Sequence, residues 1–220
     1  MKKLFVILFA TAMALPIFAQ YGRPYPGRPT STYPSSRIYH YDNYYGLRLG
    51  AGFSTVNSDD PRLDGGTAQT GLNLGVAAGF QMVHSSPLYF ETGLYYTEKG
   101  GKGTHENKKF TYNLNYLEVP LLMKYAIPFE QRGSIQPFVG GYLACGVGGQ
   151  IKDYGNRQAF SSFDNDAFKR FDGGLRIGCG VQYDIVYAEA AYEFGLANIC
   201  NDSFDTSRNR CLYLNVGVNF

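Results

Sequence analysis

Gly71-Leu-Asn-Leu-Gly-Val-Ala-Ala-Gly-Phe-Gln-Met82 is the stretch whose reading decides the fold. Leu72, Leu74, Val76, Ala78, Phe80 and Met82 fall on one parity, and Asn73, Gly75, Ala77, Gly79 and Gln81 on the other. Successive side chains of a strand point to opposite faces, so this alternation predicts a two-faced strand. Upstream, Tyr45, Leu47, Leu49, Ala51 and Phe53 alternate with Gly46, Arg48, Gly50, Gly52 and Ser54. Downstream the pattern recurs over 88–96, 117–125, 135–147, 172–183, 186–194 and 212–220. Most runs approach the roughly 10 residues that a tilted strand needs to cross a bilayer. Phe110, Tyr112 and Leu114 precede the fourth run in the opposite parity, which predicts a bulge near Asn115.

The connections alternate in length. Val83–Pro87, Ala126–Gly133 and Asp184–Ile185 are short, whereas Thr55–Thr70, Lys99–Lys109, Gly148–Phe168 and Ala197–Arg210 are long and polar. Short periplasmic turns and longer extracellular loops mark transmembrane barrels. The predicted fold is all-β, a transmembrane antiparallel up-and-down β-barrel of about eight strands, spanning residues 44–220. An even strand number leaves the N-terminus on the periplasmic side.

A soluble barrel would share the periodicity with its faces exchanged. The composition of the polar face separates the two. It is mostly Gly, Ala, Asn, Gln and Tyr rather than Lys, Glu, Asp, Ser and Thr. An eight-stranded lumen is just wide enough to be filled by side chains, so small residues relieve crowding there. Arg48, Lys124 and Arg176 share that face with Glu91, Glu118, Asp172, Glu189 and Glu193. Isolated buried charges are costly, so these eight are expected to pair and plug the lumen. A proton or ion path is the alternative. On the apolar face, Tyr45, Tyr125 and Tyr183 fall near one set of strand ends and Tyr96, Tyr192 and Phe194 near the other, as an aromatic girdle would.

Lys2 and Lys3 precede an apolar run from Leu4 to Ala19, the layout of a secretory signal peptide over residues 1–19. Its removal takes the formal charge from +2 to about 0, so nucleic-acid binding is not indicated. Pro24, Pro26, Pro29 and Pro34 exclude residues 20–43 from a sheet interior, and that segment is read as a periplasmic tail. Charged residues are 17%, against roughly 25% in ordinary soluble domains. Tyr (19), Phe (16) and Gly (27) are abundant, as suits a membrane barrel.

Several blocks carry a family likeness. Glu91-Thr-Gly-Leu-Tyr95 with Lys99-Gly100, and Tyr116-Leu-Glu-Val-Pro-Leu-Leu-Met-Lys-Tyr125, closely resemble the PorT-like outer-membrane β-barrel family of Bacteroidetes. Asp172-Gly-Gly-Leu, Gly178-Cys-Gly-Val181, Tyr192-Glu-Phe-Gly-Leu-Ala-Asn198 and Leu214-Asn-Val-Gly-Val-Asn-Phe220 extend the resemblance. It implies a barrel in the bacterial outer membrane, with outer-membrane lipid and the barrel-assembly machinery as partners. Phe220 resembles the terminal aromatic which that machinery reads.

Cys145, Cys179, Cys200 and Cys211 remain. Cys200 and Cys211 bracket the last long loop, where a disulfide and two separate thiols are both open readings. Cys145 and Cys179 share the apolar parity at different heights and are expected as unbridged, lipid-facing thiols. No Cys/His spacing fits zinc, and no phosphate loop leads from strand to helix. His105-Glu106 with a loop Ser could form a catalytic group, and Asp59, Asp60, Asp64, Asp164 and Asp166 could bind Ca²⁺. Solvated loop residues are the favoured reading of both, so no cofactor, metal or catalytic site is expected. The expected role is structural, adhesive or ligand-binding through outer loops on a rigid scaffold, rather than enzymatic. A narrow porin or ion channel is the alternative, and an enzyme acting on outer-leaflet lipid or peptide a second.

Overall fold

The computed structural model describes residues 43–58, 67–83, 86–105, 108–129, 133–152, 159–163, 168–200 and 206–220. The expected signal peptide and tail lie outside the described residues. So do Asp59, Asp60, Asp64, Glu106, Asp164 and Asp166, and the side chain of His105.

Among the described residues eleven strands form: β1 (Asn43–Ser58), β2 (Gln69–Val83), β3 (Ser86–His105), β4 (Lys108–Tyr125), β5 (Ile127–Pro128), β6 (Gly133–Gly148), β7 (Gln150–Lys152), β8 (Phe160–Ser161), β9 (Phe171–Tyr183), β10 (Val186–Gly195) and β11 (Ser207–Asn219). Eight of them are long and make a ring in which every neighbour is antiparallel, ordered β1–β2–β3–β4–β6–β9–β10–β11. β11 returns to β1 with Leu49 opposite Val216 and Phe53 opposite Leu212, so the sheet closes on itself and leaves no edge in the wall. Among the described residues no helix is long and apolar enough to cross a membrane, which says nothing of strands.

Alternation fixes the two faces. On β11, Leu212, Leu214 and Val216 stand outward, exposed by 41%, 50% and 60%, while Cys211, Tyr213 and Asn215 turn in and are buried. The same inversion of ordinary globular burial runs round the ring through Leu49, Leu74, Leu121, Val139 and Ile177, all outward and exposed. Apolar exposure on this scale is stable only against acyl chains. From Phe220 to Leu212 the outward apolar track on β11 rises roughly 20 Å for a tilt of about 40°, close to the height of a barrel's apolar band. Tyr45, Tyr125 and Tyr183 are exposed at the short-turn end of that band, and Phe194 at the long-loop end.

Above the band the polarity of the wall inverts. β1 places Val56 inside and Asn57 outside, and β4 places Phe110, Tyr112 and Leu114 inside. There the outer face meets water instead of hydrocarbon, so apolar side chains turn inward. Phe110, Tyr112 and Leu114 thus share the inward parity of Tyr116 and Glu118. The inward parity of β4 is unbroken from Phe110 to Lys124. The register shift near Asn115 does occur, but on the β6 side: Asn115 faces Gly148, Tyr116 faces Gly146, and Val147 is passed over. A second correction concerns loop length. β3 and β4 run as one hairpin to His105 and Lys108, so most of the expected Lys99–Lys109 loop is strand.

Candidate functional site

The lumen is the densest concentration of polar chemistry among the described residues. Arg48, Glu91, Glu118, Lys124, Asp172, Arg176, Glu189 and Glu193 all lie inside it, none more than 6% exposed. Lys99 joins them. β3 carries Glu91, Tyr95, Thr97 and Lys99 on one inward parity, so the same alternation that places Glu91 places Lys99. Reading Lys99 as the start of a loop broke off that parity too early.

These nine groups form one network. Near the long-loop end, Lys99 Nζ lies 2.9 Å from Glu118, 2.8 Å from Glu193 and 3.4 Å from Asp172. Arg176 spreads its fork over three carboxylates, at 3.2 Å from Glu118, 3.3 Å from Glu193 and 3.2 Å from Glu189. Glu189 also approaches Lys124 at 3.9 Å, and Lys124 pairs with Glu91 at 2.8 Å. Nearer the short turns, Arg48 lies 3.8 Å from Glu91, donates to Asn219 Oδ1 at 2.6 Å, and stacks its guanidinium 4.1 Å from the Tyr187 ring centre. Neutral groups donate to three of the carboxylates. Asn215 donates to Glu189 at 2.8 Å, Asn209 to Asp172 at 2.9 Å, Tyr187 to Glu189 at 3.0 Å, and Tyr44 to Glu91. Buried charges persist when they are paired and hydrogen-bonded, and each of these is.

Glycines make room for the long side chains. A Cβ at Gly46 would meet the Arg48 guanidinium, and one at Gly180 would meet the Tyr187 hydroxyl. A side chain at either position would push its neighbour out of the network.

Buried side chains occupy both ends of the described lumen. At the short-turn end, Gln182 accepts from Gln136 at 3.0 Å and from Asn219 at 2.9 Å. At the long-loop end, Phe110, Tyr112, Leu114, Phe163, Phe168 and Ile199 form a buried cap that includes Val56, Tyr116 and Tyr142. Tyr112 and Phe168 stack with ring centres 5.4 Å apart. A backbone bridge between Phe168 and Cys200 ties the third long connection to the fourth. Among the described residues the barrel interior is thus filled by this network, and at the long-loop end by this cluster.

A family model described as "Outer membrane protein beta-barrel domain" matches residues 30–201. The chain belongs to that family. It is a protein of the outer membrane. No curated protein matches it. Among solved structures it is similar to Ail, the attachment invasion locus protein of Yersinia pestis, in complex with the heparin analogue sucrose octasulfate. The identity is 15%, over 81% of this chain and 99% of that one, with a TM-score of 0.43. It is also similar to Neisserial surface protein A (16%, 80% and 95%, 0.43) and to OprG of Pseudomonas aeruginosa (11%, 81% and 96%, 0.45).

In this outer-membrane barrel Cys145 and Cys179 face outward and are unbridged. Cys145 stands opposite Phe171 and Cys179 opposite Pro137, far apart along β6. The disulfide considered between Cys200 and Cys211 is not formed. Cys200 packs in the cap, whereas Cys211 points into the lumen beside Leu122, Phe138 and Tyr213. The loop that they bracket brings its ends together through backbone pairing, Ile199 N to Ser207 O at 3.0 Å, and not through sulfur. The barrel is therefore expected to show the same mobility on denaturing gels with and without reductant, and a shift on reduction would restore the bridge. Phe220 lies on the outer face, its backbone paired both ways with Tyr45 at 2.9 Å.

Proposed function

We propose that the protein is a non-conducting, non-enzymatic barrel that presents a binding surface at its long-loop end, outside the cell. The side chains that fill the described lumen support this reading. An ion or solute would have to displace the amide layer at Gln182, the nine-charge network and the aromatic cap in turn. What varies freely in such a molecule is the loop set that the strands hold in place, and rigid scaffolds commonly carry recognition there. The short-turn end would then face the periplasm, with residues 20–43 as a tail behind a cleaved segment 1–19, and the family resemblance would narrow to the PorT-like barrels.

Purified protein in planar bilayers is expected to pass no discrete current steps; well-resolved unitary conductance would replace this reading with the channel one. A Lys152→Cys variant on intact cells, with the four native cysteines changed to Ser, is expected to react with a membrane-impermeant maleimide. Labelling only after lysis would reverse the orientation.

A further inference from the structure

The wall of the barrel carries cations where its polarity inverts. On β11, Arg210 is the next outward residue above the apolar Leu212, and Arg208 the next above that. Both are exposed, and neither makes an ion pair among the described residues. The two Cα atoms are about 7 Å apart along the strand, and Arg210 lies only about 5 Å above the hydrocarbon boundary. β1 sets Thr55 opposite Arg210 and Asn57 opposite Arg208, which adds two uncharged hydrogen-bonding groups. On the other side β10 sets Phe194 opposite Arg210, with its ring 4.6 Å from that of Tyr192. The outward carboxylate described at this level is Glu98 on β3, which accepts from the Leu72 backbone at 3.1 Å and Tyr96 at 3.4 Å.

We propose that Arg208 and Arg210, with Thr55 and Asn57, hold the phosphate monoester of a membrane-lipid headgroup against the outer wall. A guanidinium fork matches phosphate oxygens two at a time, and a monoester carries more charge than the diester of an ordinary phospholipid. The side chains are reached sideways from the bilayer, over Leu212 and Phe194 that contact acyl chains, so a lipid meets charge and apolar wall together. A soluble polyanion would meet the charge alone. With the orientation proposed above, the ligand is a phosphorylated lipid of the outer leaflet; the site itself needs only the barrel in a bilayer.

The test uses the full chain in phosphatidylcholine nanodiscs containing lipid A with both phosphates or lipid A with both removed. Both leaflets carry the probe, so the result does not depend on sidedness. Retained lipid is counted by native mass spectrometry. The wild type is expected to retain the phosphorylated form about thirtyfold better, as two guanidiniums at an anionic surface would give. Arg208→Gln with Arg210→Gln is expected to erase that preference. Arg208→Lys with Arg210→Lys, which keeps the charge and loses the fork, is expected to keep only part of it and serves if the first variant does not fold. Equal retention of both lipids by the wild type overturns the proposal, as does an unchanged preference in either double variant. Tight binding of sucrose octasulfate to the same arginines in phosphate-free nanodiscs also overturns it, because the patch would then be a polysaccharide surface.

Discussion

Arg176→Met is expected to lower the unfolding free energy by about 3–5 kcal/mol, the usual cost of stranding buried charges by removing their partner. Arg176 is the group that three carboxylates share, at 3.2–3.3 Å. Four cations face five carboxylates in the lumen, and this change leaves three. Lys99 still reaches Glu118 and Glu193, and Lys124 still reaches Glu189, but Glu189 loses its nearer cation. Urea unfolding in lipid vesicles at neutral pH measures the effect. Lys152→Met, an exposed site outside the network, is the control and is expected to stay within about 0.5 kcal/mol. A loss below about 1 kcal/mol for Arg176→Met would mean that water, not the cations, solvates these carboxylates.

Val216→Arg is expected to cost about 2–4 kcal/mol in the same assay, although Val216 is 60% exposed. Val216 lies midway along the apolar track, flanked by Leu49 on β1 and Ala188 on β10. A charge there sits near the bilayer midplane. The same substitution on a surface facing water would cost within about 0.5 kcal/mol, so the size of the loss reports the medium directly. An indifferent Val216→Arg variant would contradict the outward lipid face.

The lumen network was legible because parity is a local property. Arg48, Glu91 and Glu118 share a face with glycines and asparagines whatever partners their strands choose, since backbone geometry alone sends alternate side chains apart. What parity cannot carry is the identity of each ion's partner. Arg176 on β9 meets Glu118 on β4 across the lumen, and Arg48 on β1 meets Asn219 on β11 only because those strands close the ring. The choice left open at Cys200 and Cys211 was beyond the sequence for a related reason. Cys200 and Cys211 are close in sequence, yet one joins a cap of strand residues and two long connections and the other faces the barrel interior.

By itself, then, the chain's alternation determined eight crossing strands, their two faces and eight of the nine interior charges. Only the tertiary structure decided where the bilayer stops along each strand. Phe110, Tyr112, Leu114 and Lys99 obey the same period as their neighbours, but what a face must satisfy depends on the medium opposite it. That medium changes from hydrocarbon to water partway up the wall, at a height that the closed ring sets and no single strand encodes.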